Sequence, residues 1–232
     1  MLDKLKEKVC EANIELFKQK IVLFTWGNVS EIDYESNLVA IKPSGVSYNT
    51  MKPEDIVIVD LKGNVVEGHY KPSSDTLTHL EIYKNFKEVK SVAHTHSTYA
   101  TAFAQAGKEI ELFGTTQADY FCDNIKVTRT LSEEEVKSNY ELNTGKIIVE
   151  TLRNQQIMST PAILVKSHGP FIFGKDAIDC VFNAVVLEEI AKMNFITLNL
   201  NPNTCRISNY ILNKHYQRKH GGNSYYGQKY KK

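Results

Sequence analysis

The chain has 232 residues, 42% of them hydrophobic and 24% charged, with 28 basic against 27 acidic side chains and a formal net charge of +1. That balance excludes wholesale disorder and fibrous repeats, and it leaves no global field to recruit nucleic acid or an anionic membrane. A chain this long buries a sizeable core without disulfide staples.

Leu2, Leu5, Val9, Ala12 and Leu16 recur every three to four residues and predict an amphipathic opening helix. Ile21–Trp26 is a short apolar run closed by Gly27-Asn28, which reads as a strand and turn. Leu38–Ile41 reads as a second strand, ending in the loop Lys42-Pro43-Ser44-Gly45. Ile56–Leu61 and Val65–Glu67, joined across Lys62-Gly63-Asn64, predict a hairpin. After the loop Pro72-Ser73-Ser74-Asp75, residues Thr76–Phe86 have helical periodicity with Thr76 as the cap. Ser91–Thr95 is strand-like, Tyr99–Ala106 helical, and the stretch around Gly114–Asp119 irregular. Ser132-Glu133-Glu134-Glu135 has the form of a capping box opening a helix towards Asn154. Ala162–Lys166 and Phe171–Phe173 are short strands around a Ser167-His168-Gly169-Pro170 turn. Asp176–Leu198 is the longest helix and Asn209–Lys219 the last. With no repeat, linker or composition shift, residues 1–232 read as one mixed α/β domain.

Cys10, Cys122, Cys180 and Cys205 lie far apart with no C-x-x-C pair, which fits neither a zinc ribbon nor a disulfide scaffold. The charged opening lacks the apolar core of a signal peptide, and Ala177–Leu200 is interrupted by Asp179, Glu188, Glu189 and Lys192. The expectation is a reducing, cytoplasmic compartment and no membrane.

His94-Thr95-His96 is the sharpest local feature. Alternate residues on a strand share a face, so both imidazoles can address one spot and ligate a metal such as zinc. The ordinary alternative is two half-buried histidines satisfied by backbone bonds. His168, in its turn after an apolar strand, is a third ligand candidate or simply a turn histidine. Asp75 is a carboxylate near the same loops, with helix N-capping as its ordinary role. Gly27-Asn28, Ser44-Gly45 beside Lys42, and Ser73-Ser74 before a helix N-terminus each suit an anion, and together they suggest a phosphorylated substrate. The run Lys214–Lys232 interleaves basic residues with tyrosines. Against a neutral whole it reads as a solvated end packed on a neighbouring surface rather than a nucleic-acid contact.

Taken in order, these segments resemble a known family. Thr25–Ser30, Ile41–Val46, Lys71–Thr76, His94–Ser97, Gly114–Thr116 with Ala118–Phe121, Ser167–Phe171, Leu187–Glu189 and the ending Lys214–Tyr216, Arg218–Gly221 and Tyr225–Gln228 are similar to the L-ribulose-5-phosphate 4-epimerases of the class II aldolase/adducin superfamily. The resemblance implies a three-layer α/β/α sandwich around a largely antiparallel sheet. It implies His94, His96 and His168 as ligands of one zinc per subunit, with manganese or cobalt as substitutes and Asp75 at the metal. Gly27, Asn28, Lys42, Ser44, Gly45, Ser73 and Ser74 would hold the sugar phosphate. Asp119 and Tyr226 match the family's acid/base pair, which reaches a neighbouring subunit's metal in a homotetramer. His215, given a supporting catalytic role, and Arg218 match residues near that interface (about 208–232), and Thr116 would shape the pocket. The implied reaction inverts C4 of L-ribulose 5-phosphate to give D-xylulose 5-phosphate, in L-arabinose or L-ascorbate breakdown. Gln117 departs from a relative that carries histidine, and Lys229–Lys232 extend past the match. An L-fuculose or L-rhamnulose 1-phosphate aldolase is the nearest alternative. In the fuculose enzyme a glutamate follows the Ser-Ser pair, where this chain has Asp75. A non-catalytic adducin-like interaction domain is the other alternative.

Overall fold

The computed structural model describes residues 2–222 and 224–226. Seven strands form one sheet: β1 (Asn28–Asp33), β2 (Leu38–Ile41), β3 (Val57–Asp60), β4 (Val65–Glu67), β5 (Ser91–His94), β6 (Ala162–Val165) and β7 (Gly169–Gly174). Their spatial order is β4-β3-β2-β1-β5-β7-β6, and every neighbouring pair runs antiparallel.

Most strands are apolar on both faces because helices cover both. On one side, α1 (Leu2–Lys18), α3 (Thr98–Ala106) and α6 (Ala177–Leu200) pack with Val29, Ala40, Ile58, Ala93, Leu164 and Ile172. On the other, α2 (Thr76–Asn85) and α5 (Glu133–Leu152) pack with Val39, Val57, Val59, Val92, Ile163, Phe171 and Phe173. The two sets alternate along each strand, as the two-residue period of a pleated sheet requires. The helix pair α2–α5 closes tightly at Gly145, where a Cβ would stand 2.7 Å from Glu81 Cβ. This is the expected three-layer α/β/α sandwich with an antiparallel sheet. Two further helices complete the described chain, α4 (Thr115–Ala118) and α7 (Asn209–His220).

Three local expectations are corrected. Ile21–Trp26 is not a strand: Phe24 has φ 53°, a left-handed conformation that ends any extended run, and Leu23, Phe24 and Trp26 are exposed. The Gly114–Asp119 stretch is not irregular, since α4 occupies it. Asp75, not Thr76, takes the N-cap position of α2, and its side chain makes no capping bond. The hairpin β3–β4, the capping box at Ser132 and the long helix after Asp176 appear where the sequence puts them. Gln228 and the Lys229–Lys232 extension lie outside the described residues. No helix among the described residues is long and apolar enough to cross a membrane.

The sheet brings three strand ends together. Antiparallel register sets Asn28 opposite His94, and His94 opposite Phe171. Gly27 has φ +75°, and a Cβ there would stand 2.7 Å from the His94 carbonyl oxygen. Gly45 also has a positive φ, +72°, but nothing lies within 4 Å of its notional Cβ. Gly27→Ala therefore combines backbone strain with a clash, whereas Gly45→Ala carries strain alone. Strain of this kind costs about 1–3 kcal/mol. Thermal or urea unfolding should show the Gly27 variant losing clearly more stability than the Gly45 variant; equal losses would contradict the close approach.

Candidate active site

Three imidazoles meet at the joined strand ends. His94 closes β5, His96 stands two residues on, and His168 sits in the β6–β7 turn. The turn is set by Ser167, whose φ is 62°, and by the His168 N–H donating to the Val165 carbonyl at 3.0 Å. Gly169 follows because a Cβ there would meet the Thr95 carbonyl at 2.9 Å. Phe171 stacks on His94 with ring centroids 4.3 Å apart and fixes the plane of that ring.

The arrangement fits a divalent cation. His94 Nδ1 lies 2.9 Å from the Pro170 carbonyl oxygen, which can only accept, so in the neutral ring the proton is on Nδ1 and the lone pair on Nε2. His94 Nε2 faces His96 Nε2 at 3.1 Å. Two nitrogens bound tetrahedrally to one ion at about 2.05 Å would stand about 3.3 Å apart. Ligand atoms of all three rings lie within 4.8 Å of one another. Burial, then the charge of His94, holds His96 below its ordinary pKa, and burial with His94 and His96 takes His168 down to about 4. Both are therefore neutral near neutral pH, as a metal ligand must be.

Asp75 stands beside this group and not within the set of mutually close ligand atoms. Freed from capping, its Oδ2 accepts from Asn28 Nδ2 at 2.7 Å, and the same amide donates to Ser73 Oγ at 3.0 Å. Burial alone would raise its pKa, but His94 and His79 nearby, with the Asn28 bond, hold it below the usual carboxylate value. The Asn28 Oδ1 is buried without a partner.

The triad opens into a cleft of about 410 Å³ lined by Thr25, Gly27, Asn28, Lys42, Pro43, Ser44, Gly45, Ser73, Ser74 and Asp75. All the loop residues expected to grip a phosphate therefore line this cleft. The two loops are stitched together, with Ser44 N–H donating to the Lys71 carbonyl at 2.9 Å and Ser73 N–H to the Lys42 carbonyl at 3.0 Å. Lys42 is only 1% exposed, lies 4.8 Å over the Tyr48 ring, and is lowered by burial to about 8. Tyr140 and Glu141 complete the lining and were not among the sequence candidates. They enter because α5 breaks at Asn139 (φ −153°, ψ 85°), whose Oδ1 accepts from Leu142 N–H and restarts the helix. An Asn three residues before the donor is the one signal that marked this break.

Asp119, His215, Arg218 and Tyr226 form a second cluster, and none of the four lines the cleft. Arg218 grips Asp119 through Nε at 2.9 Å and Nη2 at 2.7 Å, and His215 Nδ1 adds a contact at 3.2 Å. Burial would raise the Asp119 pKa, but the bonds from Arg218 and His215 outweigh it and keep the carboxylate low. Arg218 also lies 4.4 Å from the Tyr226 ring, whose tyrosine is half exposed. Thr116 is exposed on α4 and does not line the cleft either. Gln117 is structural: its Oε1 accepts from the Phe113 and Gly114 N–H groups, and its Nε2 donates to the Glu111 carbonyl. A neutral histidine, with one acceptor nitrogen, would not close this loop in the same way.

The chain belongs to the class II aldolase and adducin N-terminal domain family, whose profile matches residues 7–195. Among solved structures it is similar to an L-fuculose 1-phosphate aldolase (23% identity, TM-score 0.78, 93% of this chain and 95% of the other). It is also similar to YgbL from Escherichia coli (21%, 0.74, 93% and 99%). A third match is the L-fuculose-1-phosphate aldolase of Thermus thermophilus (21%, 0.68, 88% and 99%). At these identities the likeness establishes the fold.

Proposed function

We propose that the protein is a metal-dependent L-ribulose-5-phosphate 4-epimerase acting as a single domain in a homotetramer, giving D-xylulose 5-phosphate in pentose breakdown. The observation that carries this reading is a divided site. A cation-ready imidazole triad shares a cleft with Lys42, Ser44, Ser73 and Ser74, while Asp119 and Tyr226, paired through Arg218, stand outside it. A second copy presenting Asp119 and Tyr226 to this cleft would supply an acid and a base beside those already lining it.

C4 of the ketose bears no acidic hydrogen, because the carbonyl is at C2. Inversion therefore proceeds by breaking and remaking C3–C4. His94, His96 and His168 would hold a divalent ion, preferably zinc, which when bound supplies Lewis acidity for charge developing on the ketose oxygens. Asp119, kept ionised by Arg218 and His215, takes the C4 hydroxyl proton as the C3–C4 pair passes into the three-carbon fragment. The released aldehyde, glycolaldehyde phosphate, turns about C4–C5 while Lys42 and the serine loops keep its phosphate. The three-carbon fragment then attacks the opposite face, and Tyr226 protonates the new C4 alkoxide.

Aldol cleavage of L-fuculose 1-phosphate is the second reading, favoured by the named activity of two of the similar structures. A coupled assay for D-xylulose 5-phosphate from L-ribulose 5-phosphate, lost on chelation, should detect turnover. Condensation of dihydroxyacetone phosphate with L-lactaldehyde at a comparable rate, without epimerisation, would establish the aldolase instead. Asp119→Asn should lower turnover by about 10²–10⁴ with bound metal unchanged. Co-expression of that variant with His168→Ala should restore part of the activity, since mixed oligomers contain one intact divided site. No restoration would contradict the shared site.

The protonated form of Lys42 is the one that holds a phosphate dianion, and its pKa in the free protein is about 8. Expressed per phosphate dianion, affinity should therefore be level below that pH and fall about tenfold per unit above it. Titration calorimetry with inorganic phosphate from pH 7 to 9.5 measures this, and Lys42→Met should be both weaker and flat over that range. A parent profile level to pH 9.5 would remove Lys42 from phosphate binding.

A further inference from the structure

We propose that Tyr140 is a positioning residue for the metal centre: its hydroxyl accepts the Nδ1–H of His168 and so presents His168 Nε2, in the unprotonated form, to the ion. The inference rests on reading the three imidazoles as a metal site. Tyr140 Oη lies 3.3 Å from His168 Nδ1, with the two rings 6.1 Å apart and inclined by 33°. His94 has a Nδ1 partner in the Pro170 carbonyl. His168 is half-buried in a turn that offers its ring no such carbonyl among the described contacts, so the phenol takes that part. An imidazole ligand whose second nitrogen is held by an acceptor is fixed in both tautomer and orientation.

The local chain is built to deliver this hydroxyl. The break at Asn139 makes Tyr140 the first residue of a restarted helix, directed into the cleft instead of along the outer face of α5. Asn139 Oδ1 accepts from Leu142 N–H at 3.3 Å, and Thr144 Oγ1 donates to the Tyr140 carbonyl at 2.8 Å. Asn143 Nδ2 ties the preceding turn through Glu135 O at 2.8 Å and Ser138 Oγ at 3.0 Å. These bonds hold the restart, and the Tyr140 hydroxyl, with the Thr144 side chain also beside it, reaches His168 Nδ1.

The test is Tyr140→Phe, which keeps the ring and removes one oxygen. Zinc and cobalt affinities are measured by competition with a chromophoric chelator, alongside urea unfolding of the metal-free proteins and nitrogen-15 spectra of the zinc-loaded histidines. The expected result is a 10–100-fold weaker metal affinity, typical of losing an outer partner of a ligating histidine, with the metal-free unfolding midpoint unchanged. The parent spectrum should show His168 protonated at Nδ1 and bound through Nε2. A Tyr140→Phe affinity within twofold of the parent would overturn the proposal and leave the imidazole triad standing. So would ligation through Nδ1, or a weaker affinity matched by equal loss of metal-free stability. A parent that takes up no ion would overturn the proposal and the metal reading together.

Discussion

The structure depends on how closely three strand ends approach one another. The backbone at His94–Thr95 lies between Gly27 on one side and Gly169 on the other, with each glycine within a Cβ's reach of a carbonyl oxygen on that segment. Any side chain at either position would push the strands apart. Because the strands stay close, residues from β1, β5 and the β6–β7 turn share one cleft. The doubly covered sheet then makes the geometry rigid: the strand ends are anchored by apolar layers on both faces, so the imidazoles are presented by a packed scaffold and not by loops alone.

Charge is divided between two places. The cleft gathers neutral nitrogens, one buried lysine and small hydroxyl donors around Asp75, which suits it to a cation and an anion side by side. The Asp119 cluster is the reverse, a carboxylate saturated by a guanidinium and an imidazole, with a phenol stacked against the guanidinium. The Asp119 cluster is internally satisfied, whereas the cleft keeps one buried acceptor, Asn28 Oδ1, without a partner. Chemistry that needs both requires them to be brought together.

Much of this was legible in the sequence, for physical reasons. Runs such as Ile56–Val59 and Ala162–Val165 are apolar throughout because helices lie on both sides of the sheet, and such runs read as strands without any need for alternation. The triad was visible because two of its members share a strand-end dipeptide period, while His168 needed the β6–β7 hairpin to bring it in. Ile21–Trp26 misled because its apolar residues are not there to pair: Ile21 and Val22 fill the space beneath α1, while the left-handed Phe24 turns the rest outward. Tyr140 and Glu141 were missed because a capping asparagine inside a continuous helical pattern is read as one more helical residue. The role of Gln117 was hidden for a related reason, since bonds from a side chain to its own loop leave no periodic trace.

The most direct measurement is anomalous diffraction at the zinc edge from crystals grown with zinc. One peak per chain, within bonding distance of His94, His96 and His168 together, is the result the account predicts. A zinc ion held by other residues while those three rings keep their present positions, or no peak at saturating zinc, would contradict it.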